Sequence, residues 1–256
     1  MKSIWKGAIS FGLVNIPVKM YSGSQSHSLE LDMLRKGDHC QVKFKRVCGN
    51  DGKEIPYSDI VKGYKYHGGD YVILTNEDFE KANVEKTHTI DIVNFVDEGD
   101  VNTVFFEKPY YLEPEKSGSK PYVLLREAIK KSKKVGIARF VMKNREHMGV
   151  IKVYNNALVY NQIRYNDEIR DTSDLNIPEG KQVTAKEVDL ALTLIKQLDD
   201  KFDPKAFKDT YIDDLKKIIE QKAKGKTVKA KGKAPKPTNT KNLMALLKKS
   251  LEGKAA

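Results

Sequence analysis

The stretch that most constrains the fold is residues 4–21, an apolar run that holds two glycines, a proline and the only tryptophan. It reads Ile-Trp-Lys-Gly-Ala-Ile-Ser-Phe-Gly-Leu-Val-Asn-Ile-Pro-Val-Lys-Met-Tyr. Apolar residues of this kind predict a buried strand over residues 5–14. Gly7 and Gly12 indicate a bend or a close approach of two backbones. Pro17 indicates a sheet edge or a bulge, because proline cannot donate to a strand ladder.

Short segments rich in β-branched and aromatic residues recur through the first two thirds of the chain. The clearest is Gln41–Val47, whose alternation places Val42 and Phe44 on one face and the lysines Lys43 and Lys45 on the other. A turn over residues 49–52 and further strand segments follow it: Lys53–Tyr57, Tyr71–Thr75, Thr89–Val96, Val104–Leu112, Val135–Met142, Val150–Val153 and Leu158–Tyr165.

Two helices interrupt these strands, one beginning after Thr75 and one after Ser119. Many strands with few helices favour a β-barrel or a strongly curved sheet. The predicted fold class is therefore mainly β with α.

Helical signals dominate after Pro178. Thr184 and Glu187 have the spacing of a capping box, and Asp203-Pro204 predicts the start of a second helix, since proline fits the first turn. Residues 223–240 contain almost nothing to bury and are predicted to be disordered. Thr240–Leu251 predicts a short amphipathic helix. The apolar stripe that follows the capping box is Val188, Ala191, Leu192, Ile195 and Leu198.

The net charge of +11 is concentrated at one end of the chain. Residues 222–256 hold eleven lysines and one acid, which leaves a net charge of +1 for residues 1–221. Within the latter, residues 1–65 carry +5 and residues 66–221 carry −4. A polybasic tail binds polyanions in general, so by itself it is compatible with DNA, RNA or anionic lipid.

Composition also narrows the class of protein. No apolar run approaches the length of a membrane span, and Lys6 interrupts the first apolar run, which argues against a signal peptide. Two cysteines fit a reducing cytoplasm better than a disulfide framework.

The titratable residues form no recognisable catalytic set. There is no Walker-type phosphate loop, no Gly-x-Ser-x-Gly elbow and no His-Glu-x-x-His pair, and the five histidines are scattered. We therefore predict a protein that is not an enzyme and uses no cofactor. His39, Cys40, Cys48 and Asp51 lie within thirteen residues. Because a structural zinc normally takes four Cys or His ligands, a plain turn with free thiols is favoured over a metal site.

In its order of residues, the 4–21 stretch resembles the N-terminal signature of the bacterial Ku family, the homodimeric DNA-end-binding proteins of non-homologous end joining. Several separated motifs in the same order extend this resemblance over most of the chain. They are Tyr57–Tyr66, Pro109–Pro114, Lys120–Ala128, Arg164–Arg170 and Phe202–Lys222.

The resemblance implies a Ku-type β-barrel core over residues 1–178, with an elongated arm at about residues 24–66. In the family this arm meets its dimer mate and closes a ring around a DNA end. A helical region over residues 179–222 and a Lys-rich tail over residues 223–256 follow. The implied partners are linear double-stranded DNA ends and a second copy of the chain.

Sequence-blind binding needs positive charge held at phosphate spacing rather than residues that read bases. Six basic residues of the implied arm are therefore candidates for phosphate contact, with a solvated surface side chain as the alternative for each. They are Arg35, Lys36, Lys43, Lys45, Arg46 and Lys53. Strand alternation favours Lys43 and Lys45. Trp5, Phe11 and Tyr21 are assigned to the core rather than to base stacking.

In the Ku family the region after the barrel recruits an ATP-dependent DNA ligase. Carried over to residues 202–222, this implies a partner surface formed by Phe202, Tyr211, Leu215 and Ile218, and the alternative is a helix that packs on its own chain. The expected function is capture, protection and bridging of DNA ends in the cytoplasm, at the nucleoid. Two other classes stay open: a polybasic nucleoid-associated protein without end preference, and a tail-tethered membrane-surface protein.

Overall fold

The computed structural model describes residues 1–26, 28–82, 88–142, 145–180, 183–226 and 243–252. The side chains of Glu80 and Glu252 are not described. The chain divides into two compact units, Met1–Asp171 and Thr172–Ala256.

The first unit holds nine strands and two helices within its described residues. They are β1 (Trp5–Phe11), β2 (Val14–Ser22), β3 (Lys62–Lys65), β4 (Tyr71–Leu74), α1 (Asn76–Ala82), β5 (Thr89–Asp97), β6 (Phe106–Pro114), α2 (Ser119–Ser132), β7 (Lys134–Met142), β8 (Arg145–Tyr154) and β9 (Ala157–Ile163).

Seven of these strands close into a barrel in the order β1-β2-β6-β9-β8-β7-β5. Neighbouring strands are antiparallel except at the closure, where β1 runs parallel to β5. The predicted β-barrel with helices is thus confirmed. Alternating residues of the strands fill the interior, whose largest fully buried side chains include Tyr160, Phe140, Ile9, Ile16, Met20 and Ile90.

The N-terminal stretch forms a hairpin, so the prediction of one strand over residues 5–14 is wrong. β1 ends at Phe11, and the chain turns at Gly12 with a φ of +59° before β2 begins. Both strands bury one face in the barrel, so the apolar composition continues through the turn. The predicted close approach is confirmed at Gly7, where a Cβ would lie 2.2 Å from the carbonyl oxygen of His88.

Pro17 lies inside β2 rather than at a sheet edge. Its ladder with β6 begins one residue later, at Val18. The carbonyl oxygen of Pro17 accepts a 2.9 Å hydrogen bond from the backbone N–H of Glu115. The residue without an N–H therefore lies just before the β2–β6 ladder, where the pairs that begin at Val18 do not need its donor.

Helix α2 packs on the barrel through Tyr122, Leu125 and Ile129. The buried hydroxyl of Tyr122 donates to the carbonyl oxygen of Leu112 and accepts from the backbone N–H of Leu158, both at 2.7 Å. One side chain thereby fixes the helix to two neighbouring strands, β6 and β9.

The predicted strand Gln41–Val47 and its return over Lys53–Tyr57 are wrong as regular strands. The structure shows only the isolated bridges Leu34↔Gln41 and Val47↔Glu54. Most of these side chains are exposed, and Phe44 retains 78% of its accessible surface. Alternation alone predicted a half-buried strand, but among the residues that the structure describes no sheet lies beside this segment.

The second unit contains three helices among its described residues: α3 (Ala185–Leu198), α4 (Thr210–Ala223) and α5 (Leu243–Glu252). The capping box of Thr184 and Glu187 is confirmed at α3. The second helix begins at Thr210, capped by Asp209, rather than at Asp203-Pro204, which forms only the short 3-10 turn Pro204–Ala206. Most of the segment predicted to be disordered, residues 227–240, lies outside the described residues.

Candidate nucleic-acid interface

In residues 24–26 and 28–66, the arm segment supplies no strand to the barrel. In its described part it is built from turns, isolated bridges and the strand β3, which pairs only with β4. Large apolar side chains along it are exposed, among them Tyr57 at 76% and Phe44 at 78%. The six basic residues predicted to contact phosphate all lie here and are all exposed.

Three of these six cations are paired with acids of the same segment. Arg35 forms a bidentate ion pair with Asp38, in which Nε of Arg35 lies 2.8 Å from Oδ1 of Asp38. The Arg35 guanidinium and the backbone N–H of Cys40 together lower the pKa of Asp38 to about 2. Asp38 is therefore fully charged at neutral pH and offsets the charge of Arg35.

The other two pairs are Lys45 with Glu54, at 2.5 Å, and Lys53 with Asp51, at 3.5 Å. The pKa of Asp51 is lowered, first by the backbone N–H of Lys53 and then by the Cys48 thiol. Exposed pairs of this kind add little stability, but each one reduces the positive potential that a phosphate would meet.

The remaining three candidates are Lys36, Lys43 and Arg46. Within the described part of the chain, the structure records no ion pair for any of them. The guanidinium of Arg46 lies over the ring of Tyr57, 5.1 Å from its centroid. The turns of the segment, rather than strand alternation, therefore determine which cations are free of an acidic partner. Sequence reasoning missed the contact of Arg46 with the ring of Tyr57.

Sequence reasoning also missed Lys62, whose Nζ lies 4.6 Å from the ring centroid of Phe79. Lys62 begins β3, which the sequence analysis did not predict as a strand. Trp5 and Phe11 pack against the barrel core, as predicted. The hydroxyl of Tyr21 donates to Glu113 at 2.6 Å beside a surface cavity of about 540 Å³.

The predicted partner surface of the second unit is only partly assembled. Phe202 is 81% exposed and stacks on Phe207, with ring centroids 5.9 Å apart. Tyr211 is exposed, whereas Leu215 and Ile218 are half-buried. Sequence reasoning missed Phe207, although an aromatic five residues from Phe202 was a visible signal.

The cysteines are free thiols, with Cys40 exposed and Cys48 half-buried. The backbone turns over residues 49–51, and Gly52 has a φ of +69°, which supports the predicted turn. Among the described residues, no three His, Cys, Asp or Glu side chains cluster as metal ligands. None of the helices described has both the length and the apolar character needed to cross a membrane.

Comparison with known proteins places these features in context. The family described as Ku70/Ku80 beta-barrel domain matches residues 10–190. The chain is similar to a protein named Non-homologous end joining protein Ku from Opitutus terrae, with 41% identity over 98% of this chain and 91% of that protein. Proteins of the same name from Coxiella burnetii and Bacillus subtilis are 37% and 36% identical, covering 99% and 98% of this chain and 95% and 82% of their own lengths.

Proposed function

The chain belongs to the Ku family, and from that membership we propose that it binds the ends of double-stranded DNA in non-homologous end joining. The observation that carries the proposal is the similarity to end-joining proteins over nearly the whole of both chains. Binding is independent of sequence, because the candidate interface offers cations for phosphates and requires no set of base-reading side chains.

We further propose that two copies of the chain form a homodimeric ring around the DNA end, closed by their two arm segments. Its support is the exposed apolar surface of that segment, which includes Leu31, Phe44, Tyr57 and Val61. A concentration of large exposed apolar side chains in one segment is typical of an interface. A second copy would cover them and supply the neighbouring strands that Gln41–Val47 lacks in one chain.

Within the ring, Lys36, Lys43 and Arg46 are the preferred phosphate contacts. Arg35, Lys45 and Lys53 are secondary, since each already has an acidic partner. A phosphate that approached them would compete with a carboxylate. This ranking departs from the alternation argument, which favoured Lys43 and Lys45 equally.

Bridging of ends and recruitment of an ATP-dependent DNA ligase complete the proposed function. The partner surface is Phe202, Tyr211, Leu215 and Ile218, to which we add Phe207. The exposed stack of Phe202 on Phe207 supports this choice, because large aromatic side chains are the usual anchors of protein interfaces.

The test is competition between two forms of the same plasmid, one covalently closed and one cut once. A ring loads only at a free end, so the linear form should compete for a labelled linear duplex and the closed circle should not. A linear form whose two ends are blocked by bound streptavidin is the matched control and should behave like the circle. Equal competition by all three forms would overturn the ring and favour a polybasic protein without end preference.

A further inference from the structure

Helix α3 has apolar side chains on more than one face, and α5 covers one of them. The two helices are in contact. On α3 the half-buried apolar residues are Leu190, Ala191 and Leu194, and on α5 they are Leu243, Met244, Leu247 and Leu251. Each set has helical spacing and lies on one face of its helix, so these faces meet.

A second apolar stripe of α3 stays exposed with α5 in place. Val188, Leu192 and Ile195 retain 43%, 47% and 61% of their accessible surface. Their spacing of four and three residues puts them on one face, adjacent to the face that α5 covers. No residue of α3 is fully buried. A helix with apolar residues on two adjacent faces presents more apolar surface than one neighbouring helix covers.

Two unpaired charges flank this open stripe. Asp189 lies near its N-terminal end and Lys196 near its C-terminal end, and both are exposed. They are seven residues apart, which on an α-helix places them on the same side. Within the residues that the structure describes, no ion pair is recorded for either side chain.

This arrangement is complementary to itself. If two copies of α3 pack antiparallel about a two-fold axis near Leu192, each Asp189 faces the Lys196 of the other copy. The apolar stripes then cover each other, as an isologous interface requires. The apolar spacing and the two charges together therefore favour a second copy of α3 as the occupant of this stripe.

We propose that Val188, Leu192 and Ile195 form a self-association surface on which α3 of a second copy packs antiparallel. The consequence rests on the proposed function: the contact joins two copies bound at DNA ends, through a surface separate from the arm segment. A pair of short helices buries little area, so the contact is weak alone and gains strength from the high local concentration of copies held on DNA.

The first test traps the contact as a disulfide in the full chain, with Cys40 and Cys48 replaced by serine. Leu192→Cys at the two-fold axis should give a covalent pair of chains on a non-reducing gel after mild oxidation, because the proposed packing would bring the two Cα atoms within disulfide distance. Lys186→Cys, on the opposite side of α3, is the matched control. Equal yields from the two positions would overturn the proposal.

The second test reverses the charges on the Leu192→Cys background. Asp189→Lys and Lys196→Asp should each lower the cross-linking yield severalfold, because each places like charges opposite one another. Co-expression of the two variants should restore the yield in chains of mixed type, since both facing pairs are again of opposite sign. Failure of the mixture to recover would contradict antiparallel packing.

These readouts are independent of end preference. If the ring proposal fails, linear and closed circular DNA compete equally while the disulfide pattern stays. If the α3 proposal fails, the disulfide pattern is lost while end preference stays. The helical content measured by circular dichroism should be the same for all variants, because every side chain altered on α3 is exposed and the two serine replacements are common to all of them.

Discussion

Inside the barrel, Gly149 makes room for Tyr160. A Cβ on Gly149 would lie 2.1 Å from Cζ of the Tyr160 ring, far inside contact distance. Tyr160 is fully buried and meets the ring of Phe140 edge-on at 4.8 Å. We therefore expect Gly149→Ala to lower the free energy of unfolding by about 1–3 kcal/mol, as overpacking of a core does. Urea unfolding measures this.

The matched control for that substitution is Gly99→Ala. A Cβ at Gly99 meets no atom within 4 Å, and its φ lies outside the left-handed region. We expect a change within about 0.5 kcal/mol, the usual range for surface positions. If both variants lost the same stability, the effect would belong to the backbone freedom of glycine rather than to the contact with Tyr160.

At the scale of elements, the sequence predicted β5, β6, β7 and β9 closely, merged β1 with the start of β2, and predicted the arm segment poorly. β5 was predicted over residues 89–96 and spans Thr89–Asp97. Strands of this kind bury side chains within their own chain, so composition reflects their surroundings. Gln41–Val47 has the same alternation but no sheet beside it. Its alternation is typical of a strand with a neighbouring strand, and the described part of one chain does not provide that neighbour.

The residues at which the helices begin were also predicted only in part. The capping box at Thr184 was predictable because its two residues satisfy each other locally. Asp203 and Asp209 each accept a hydrogen bond from a backbone N–H two residues later, as either N-cap would. Only the second is followed by apolar residues at helical spacing, and that long pattern decides where α4 begins.

The sequence predicts the candidate interface as a basic segment, but it does not show which of its cations are paired with acids. The basic character of the arm segment is visible in the sequence. The pairs Arg35–Asp38 and Lys45–Glu54 depend on turns that bring the side chains together. Residue spacing alone therefore ranked Lys45 with Lys43, whereas the structure separates them.

This separation predicts different effects for two triple variants of equal charge. Alanine at Lys36, Lys43 and Arg46 should weaken binding to linear duplex on every sequence about equally and make the dependence on salt shallower, by up to one counterion per lost phosphate contact. Titration at several salt concentrations by fluorescence anisotropy gives both quantities.

The control is alanine at Arg35, Lys45 and Lys53, which removes the same formal charge. Because these cations are already offset by acids, we expect a smaller loss of affinity and a smaller change in slope. Equal effects of the two triple variants would show that net charge alone matters. A change in sequence preference with an unchanged slope would contradict phosphate contact altogether.

At the scale of the whole molecule, most of the net charge lies outside the unit that contains the barrel. The barrel and the arm segment lie in the first unit, whereas residues 222–256 carry a net charge of +10 out of +11. End preference should therefore come from the first unit, and most long-range attraction from the tail. Positive charge of this kind raises encounter rates with DNA but is readily screened by salt.

Removal of residues 225–256 separates these two contributions, because it deletes nine lysines and one acid without touching the barrel. A polybasic segment meets phosphates along any duplex, so it adds affinity without distinguishing an end from an interior site. The truncated chain should bind linear duplex more weakly at low salt, approach the full chain at high salt, and keep its preference for linear over closed circular DNA. Competition with both DNA forms at two salt concentrations measures all three effects.

The truncation also deletes α5, so a full-length variant with the nine lysines changed to glutamine serves as the control for lost charge alone. Loss of end preference in both proteins would mean that the tail, rather than the ring, recognises ends.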